Sequence, residues 1–459
     1  MLGAGVVEMS NFWNPVQKII EDVCVSFDAK WQKRKRVIDT LFLVLFIFKL
    51  VLSKNQQGYK SVLNELWEQQ ALTHYQQRPL SSSSLCESRQ KLPEEIFIEI
   101  NKAILLKREE TLSLSTWHGH RVFAVDGSKI NLPHELLAMG YKAPNREQYY
   151  PQGVMSTVYH LGSGLIYDCL LIKSGVSERH AVIKQMDMLS PGDVLVLDRG
   201  YFSYLVLYQA MEKNIHLVCR LQFGTMNKEI KSFCDSNLTD TIIDYFPSEA
   251  VKSAIKKQGF HLNYRKIKLR LIKYQINNEM YVCGTTLIGK EYPLDEFPGV
   301  YHGRWGIEEL YKISKEFINV EDMHSKTERG VKQELYAHAL LINIARIFEA
   351  EVNNQLPPPS VKNQKKADDI QDSYWQDFCE RLQAYKVNFK NCLLVISRHI
   401  ENLILSAVQE VEDFLLKMLS NITNVRQKIR PGRHYPRRSR RPYTKWQNGN
   451  FINSKRMEA

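Results

Sequence analysis

The chain has no Cys-x-x-Cys pair and no Cys/His cluster; its eight cysteines, at 24, 86, 169, 219, 234, 283, 379 and 392, lie far apart. That spacing excludes a zinc finger and a disulfide framework, and reads as buried thiols in a reducing compartment. No apolar run is long enough to cross a bilayer. The longest, residues 41–52, is interrupted by Lys49, whereas a spanning helix needs about 20 apolar residues. The opening residues show no cationic stretch leading into an apolar core, so the expectation is a cytoplasmic protein with neither signal peptide nor membrane partner. Acids are missing from one segment above all. Residues 414–457 hold twelve Lys or Arg and no Asp or Glu. Without those twelve, the 62 cations fall to 50 and balance the 50 anions, so the whole excess of +12 sits in a C-terminal tail.

What is present reads as globular. Of 459 residues, 44% are hydrophobic and 24% charged, which excludes a mostly disordered or fibrous chain and suggests about three domains. Residues 1–115 repeat apolar positions at helical spacing and form a candidate DNA-binding domain. The stretch Lys30-Trp31-Gln32-Lys33-Arg34-Lys35-Arg36 fits a solvated helix face as well as a DNA-facing one. From Arg121 onward short apolar runs alternate with helical stretches, as expected of an α/β mixed sheet flanked by helices, over 116–222 and 287–350. Gly162-Ser163-Gly164 is placed to turn a hairpin.

Residues 223–286 read as a β-rich insertion without comparable helices. Within it Lys266, Lys268 and Arg270 alternate with Ile267, Leu269 and Leu271, so a period of two puts the cations on one face, there to guard a sheet edge or to contact DNA. From Tyr301 to about Arg346 the chain reads as helical again. Residues 351–425 read as C-terminal helices, and an apolar stripe over 400–419 suits either internal packing or a dimer face. The tail, 426–459, has little apolar periodicity and is expected to be extended until bound.

Three acids stand out by position. Asp126 follows Val122-Phe123-Ala124-Val125, and Asp198 follows Val194-Leu195-Val196-Leu197. Either alone has an ordinary explanation, a turn at Asp126-Gly127 or a helix cap at Asp198. The third, Glu308, shares a helical stripe with Tyr301, Arg304 and Lys315, at i, i+3, i+7 and i+14. A tyrosine, two cations and a carboxylate make a poor hydrophobic face and a good surface for a phosphate beside a metal ligand; they also suit a solvated face with Arg304–Glu308 pairing.

These residues stand in a recognisable pattern. The sequence resembles the DDE transposases of bacterial insertion sequences, in the subgroup with a Tyr-x-x-Arg-x-x-x-Glu-x6-Lys signature, insertion-sequence family four. The likeness runs through Val125-Asp126-Gly127-Ser128, Asp198-Arg199-Gly200-Tyr201, and Tyr301 to Lys315, with Met323-His324-Ser325-Lys326 and Gln333-Glu334-Leu335-Tyr336 downstream. It implies a ribonuclease H-like domain in which Asp126, Asp198 and Glu308 are catalytic and hold two Mg²⁺ or Mn²⁺ ions. It also implies that Tyr301, Arg304 and Lys315 hold phosphate oxygens. Hard carboxylate oxygens suit those metals, and ions about 3.5–4 Å apart can activate a nucleophile and stabilise a leaving oxygen. The implied partners are DNA, both the element's terminal inverted repeats and the target, and a second copy of the chain on paired ends.

Other residues take lesser places. Glu309 points about 100° from Glu308 and reads as a surface residue. Glu178 reads as a first-turn acid, and His160 and His302 as structural. Arg437, Arg438, Arg440 and Arg441 in the tail are candidate phosphate contacts. Some members of the subgroup cut the second strand through a DNA hairpin, using a tryptophan in the insertion; none of the seven tryptophans here lies there, leaving Tyr281 or Phe260 as substitutes. A nuclease that cuts without joining, or a non-catalytic DNA-binding descendant, are the competing readings. The second would be favoured by loss of an acid, and none is lost.

Overall fold

A computed structural model describes residues 2–32, 38–53, 57–68, 80–111, 115–145, 147–222, 227–276, 279–356 and 385–428. Five helices come first: α1 (Leu2–Trp31), α2 (Thr40–Leu52), α3 (Tyr59–Trp67), α4 (Ser82–Lys91) and α5 (Glu95–Thr111). The longest apolar run of the sequence is α2. Asp39 starts it, its carboxylate accepting from Phe42 N at 2.7 Å. A helix apolar on all sides must be surrounded. Here α1, α3 and α4 share that task with later helices. Most of the cationic cluster after Lys30 lies outside the described residues.

Next come β1 (Val122–Asn131), β2 (Gln152–His160), β3 (Ile166–Lys173), α6 (Glu178–Gln185), β4 (Val194–Leu197), α7 (Tyr204–Glu212) and β5 (His216–Arg220). The expected hairpin turn joins β2 to β3, with Gly164 at φ 71° and its N–H donating to His160 O. The insertion supplies α8 (Lys228–Asp235), β6 (Asp240–Tyr245), α9 (Glu249–Lys257), β7 (Ile267–Ile276) and β8 (Glu279–Thr285). All eight strands form one sheet, in the order β3-β2-β1-β4-β5-β8-β7-β6. β1, β4 and β5 run parallel, and their neighbours are antiparallel. This is the mixed, helix-flanked sheet expected, with a ribonuclease H-like strand order in its first five strands.

The insertion differs from expectation in two ways. It holds two helices, because Asn227 and Ser248 cap them by accepting from Ile230 N and Val251 N. Its strands also continue the main sheet, β8 pairing with β5. Nor does β7 present a cationic face. Lys266 and Lys268 are exposed, but Arg270 is buried, donating to both Asp240 oxygens at 2.9 and 2.6 Å and to Tyr292 O at 2.9 Å. A buried guanidinium needs such partners, and having them leaves it none to offer DNA.

The chain closes with α10 (Phe297–His302), α11 (Trp305–Glu316), α12 (Glu328–Gln355), β9 (Tyr385–Val387), α13 (Phe389–Leu405), α14 (Val408–Asn424) and β10 (Arg426–Lys428), which pairs with β9. The stretch expected to be helical from 301 to about 346 forms three helices. Gly303 and Arg304 separate α10 from α11, and Asn319, at φ 55°, lies in the turn before α12. The stripe over 400–419 is likewise split at Ser406, whose extended backbone ends α13. Ile400, Leu403, Ile404, Val411, Leu415 and Met418 of it are buried inside the chain, α14 packing on α1, while Trp13 Nε1 and Gln17 Nε2 each donate to Leu403 O at 2.7 Å. Of the two packings open to that stripe, the internal one is observed. One continuous core joins the N- and C-terminal helices to the sheet. A buried amide cluster fixes α5 and α12 on β3: Asn343 accepts from Ile166 N and donates to Ile166 O, both at 2.7 Å, and Asn101 donates to the same carbonyl.

Candidate active site

The parallel register of β1 and β4 pairs Val125 with Leu197, so Asp126 and Asp198 leave that pair side by side. Asp126 is not in a turn. β1 continues to Asn131, paired across to β2, while β4 stops at Leu197, which leaves the Asp126 carboxylate beside an open strand end. A side chain at Gly127 would crowd its neighbours there: a Cβ would lie 2.9 Å from Val154 Cγ1 and 3.0 Å from Glu178 Oε2.

The third acid arrives on α11. Tyr311, buried, donates to Asp126 O at 2.6 Å and so holds this helix across β1. Arg304, between α10 and α11, reaches Asp126 Oδ2 at 3.1 Å and Glu308 Oε1 at 2.8 Å, and Tyr301 donates to Asp198 Oδ1 at 2.9 Å. Tyr301 thus meets Asp198, and Arg304 links Asp126 to Glu308. Lys315 lies farther off. It donates to Lys129 O at 2.6 Å, three residues along β1 from Asp126, roughly 10 Å at strand rise. No acid pairs with it among the described residues.

The two aspartates titrate in opposite directions. Burial raises the Asp126 carboxyl above its usual range, with repulsion from Asp198 and Glu308 added; Gly127 N–H and Arg304 offset this only in part. Burial also acts upward on Asp198, but the Arg199 backbone N–H, the Tyr301 hydroxyl and the charges of Arg304 and Arg220 outweigh it and hold that carboxyl low. Burial raises the Tyr301 hydroxyl, which therefore stays protonated and donates.

Among the described residues no three His, Cys, Asp or Glu side chains close around a common point as a metal cluster. Arg304 places its guanidinium between Asp126 and Glu308. It is 7% exposed, and its Nε is buried without a partner. Two hard carboxylates bridged by one positive charge, with Asp198 on the neighbouring strand, are a donor set whose chemistry fits a divalent cation.

Of the lesser candidates, Glu309 is exposed as expected. His160 is structural: Nδ1 accepts from Ser163 N in the β2–β3 turn, and burial holds the ring neutral, its pKa lowered to about 3. Glu178 accepts from Tyr201 OH at 2.9 Å and closes on Gly127, nearer the site than a first-turn acid requires. His302 stacks with Trp305, which is 55% exposed immediately after Arg304. Sequence reading passed over Trp305 and Tyr311; only the i, i+3, i+4 spacing of Ile307, Leu310, Tyr311 and Ser314 signals the latter. Tyr281 and Phe260 are both engaged, Tyr281 stacked on Tyr274 and Phe260 against His180. The downstream Gln333-Glu334 pair is structural, bonding buried Arg89. Arg437, Arg438, Arg440 and Arg441 lie outside the described residues.

Residues 117–344 match the family model of the transposase DDE domain. The chain carries a DDE transposase domain. The matched segment spans the sheet, the insertion and α11, and so contains Asp126, Asp198 and Glu308. The DDE domain assigns the chain to enzymatic cutting and transfer of DNA strands, and that family generally uses divalent metal ions. No curated protein matches the chain. Among solved structures, the cryo-EM structure of the piggyBac transposase synaptic complex with hairpin DNA aligns at 12% identity and a TM-score of 0.38, covering 89% of this chain and 82% of that one. The fold rests on the strand order above, and no helix among the described residues is long and apolar enough to cross a membrane.

Proposed function

We propose that the protein is a transposase of the Tyr-Arg-Glu-Lys subgroup, which binds the ends of an insertion sequence as a pair of subunits, cleaves them and joins them to target DNA. The observation that carries this is the placing of Asp126 on β1 beside Asp198 at the end of β4, with Tyr301 bonded to Asp198 and Arg304 bridging Asp126 to Glu308.

Asp126, Asp198 and Glu308 would hold two Mg²⁺ or Mn²⁺ ions, which when bound supply Lewis-acid activation of the attacking oxygen and stabilisation of the leaving oxygen. The side chains do the rest. Among the described residues Arg304 is the cation bonded to Asp126 and Glu308, and its planar fork suits a phosphodiester as well as a carboxylate. Once the acids have another counter-charge, the guanidinium is free to turn to a phosphate. Tyr301 keeps the Asp198 carboxylate oriented through its protonated hydroxyl. Lys315 offers a compact charge to the strand on the Asp126 side, and Trp305 with His302 presents exposed aromatic faces on which a base can stack.

The test is a plasmid carrying the DNA that flanks the gene, incubated with purified protein and Mg²⁺ or Mn²⁺. Metal-dependent nicks that leave 3′-hydroxyl ends, followed by joined products, support the reading. Nicking without joining would favour a nuclease, and binding without nicking a non-catalytic protein.

A further inference from the structure

Several arginines in this fold are paired with acids: Arg89 with Glu334, Arg121 with Asp193, Arg265 with Glu212, Arg270 with Asp240 and Arg346 with Glu349. Three beside Asp198 differ. Arg179, Arg199 and Arg220 have no acid partner among the described residues, although they come from three different elements that meet there. Leu197 pairs with Cys219 in the parallel register of β4 and β5, so Arg220 starts one strand spacing, about 4.8 Å, from Asp198. Its guanidinium does not fold onto that carboxylate. It lies over the Tyr281 ring, 4.6 Å from the centroid, and Tyr281 is itself stacked on Tyr274 across β7 and β8. Arg179, at the start of α6, donates from Nε to Gly200 O at 3.0 Å, which ties α6 to the turn after Asp198. That bond uses one of five guanidinium N–H groups and leaves both Nη groups without a partner among the described residues. Arg199 is exposed in the same turn.

We propose that Arg179, Arg199 and Arg220 form a cradle for a DNA backbone phosphate next to the one being cut. The inference rests on the transposase reading and extends it to residues outside the signature. Asp126, Asp198 and Arg220 leave consecutive strands β1, β4 and β5, so the cradle lies on the Asp198 flank, opposite Lys315. A strand crossing the acids then meets a cation on each side. Arginine fits this task because its planar donors match two phosphate oxygens at once. The Tyr281 stack keeps the Arg220 guanidinium extended while it waits, and so reduces the ordering cost of binding.

The experiment uses the full chain without divalent metal and fluorescein-labelled DNA of arbitrary sequence, as a 30-base-pair duplex and a 20-nucleotide single strand, titrated across a range of salt. Arg179→Gln/Arg220→Gln should bind more weakly, and its log affinity should fall less steeply with log salt, by about 1.8 units on the duplex and 1.4 on the single strand, from about 0.9 and 0.7 per lost contact. Arg220→Lys should restore most of the slope, and exposed Arg199→Gln, which breaks no side-chain hydrogen bond or ion pair among the described residues, should lower it by about half as much. An unchanged slope in both the double variant and Arg199→Gln would overturn the cradle. If the wild type neither binds nor nicks DNA, the transposase reading fails instead. Single-turnover cleavage and the joining of pre-cut ends then identify the source of the phosphate: slowed cleavage places it on the strand being cut, and slowed joining alone places it on the target.

Discussion

Two buried arginines show what separates scaffold from site. Arg89, on α4, donates to Gln333 Oε1 at 3.3 Å, Gly330 O at 3.2 Å and Glu334 Oε1 at 2.8 Å, and also bonds Tyr59 OH. Its carboxylate partner is buried and bonded in turn by His324 N at 2.8 Å. Arg304 is buried to a similar degree, yet its Nε has no partner and its two acids are partly open, 23% and 39% exposed. The first arrangement is complete and can only be broken. The second is held together by one side chain that something else can replace. Incomplete satisfaction at a strand end is where chemistry is to be sought, because it is stabilising only in the presence of a ligand.

The sharpest break in that comparison comes from the acids. Asp198→Asn should lower metal-dependent strand cleavage by about a thousandfold or more, the scale on which losing a main electrostatic stabiliser acts, while DNA binding by anisotropy is kept. Arg89→Ala should act on the fold instead. It strands Glu334 without its cation and should cost about 3–5 kcal/mol in urea unfolding, with activity lost only in proportion to unfolded protein. Arg304→Ala should do the reverse, leaving the melting temperature close to wild type and slowing cleavage about a hundredfold. An Arg304 variant that melts as early as the Arg89 variant would erase the distinction.

Removing residues 429–459, and so sparing the β9–β10 pair, should weaken binding to any duplex. If six tail cations meet phosphates, the salt slope should flatten by about 5. The smallest effect is in pH. Glu334 is pushed up by burial, but Arg89 and His324 outweigh this and hold it low. Its contribution is therefore full above the ordinary carboxylate range and is lost as pH falls through its folded pKa. Asp126 is raised, so the folded state keeps its proton to higher pH than the unfolded chain, and stability falls as pH rises through the folded value. Melting curves of Glu334→Gln and Asp126→Asn across the acidic range should show loss of slopes of opposite sign.

Much of the site was legible in one dimension. Val122-Phe123-Ala124-Val125-Asp126 and Val194-Leu195-Val196-Leu197-Asp198 are buried runs ending in an acid, and the spacing of Tyr301, Arg304 and Glu308 carries a helical period. Local composition determines such features, because strand burial and helix pitch act over a few residues. The mixed sheet was legible for the same reason. What only the tertiary structure decided depends on partners distant in the chain. The alternation at Lys266, Lys268 and Arg270 could not reveal Asp240 waiting for Arg270, nor could the stripe over 400–419 reveal α1 already packed on it. Lys315 keeps the period yet points to Lys129, since the end of a helix reaches wherever its packing aims it. The unpaired charges of Arg179, Arg199 and Arg220 appear only when three elements meet, because an ion pair, or its absence, is a property of spatial neighbours and not of sequence neighbours.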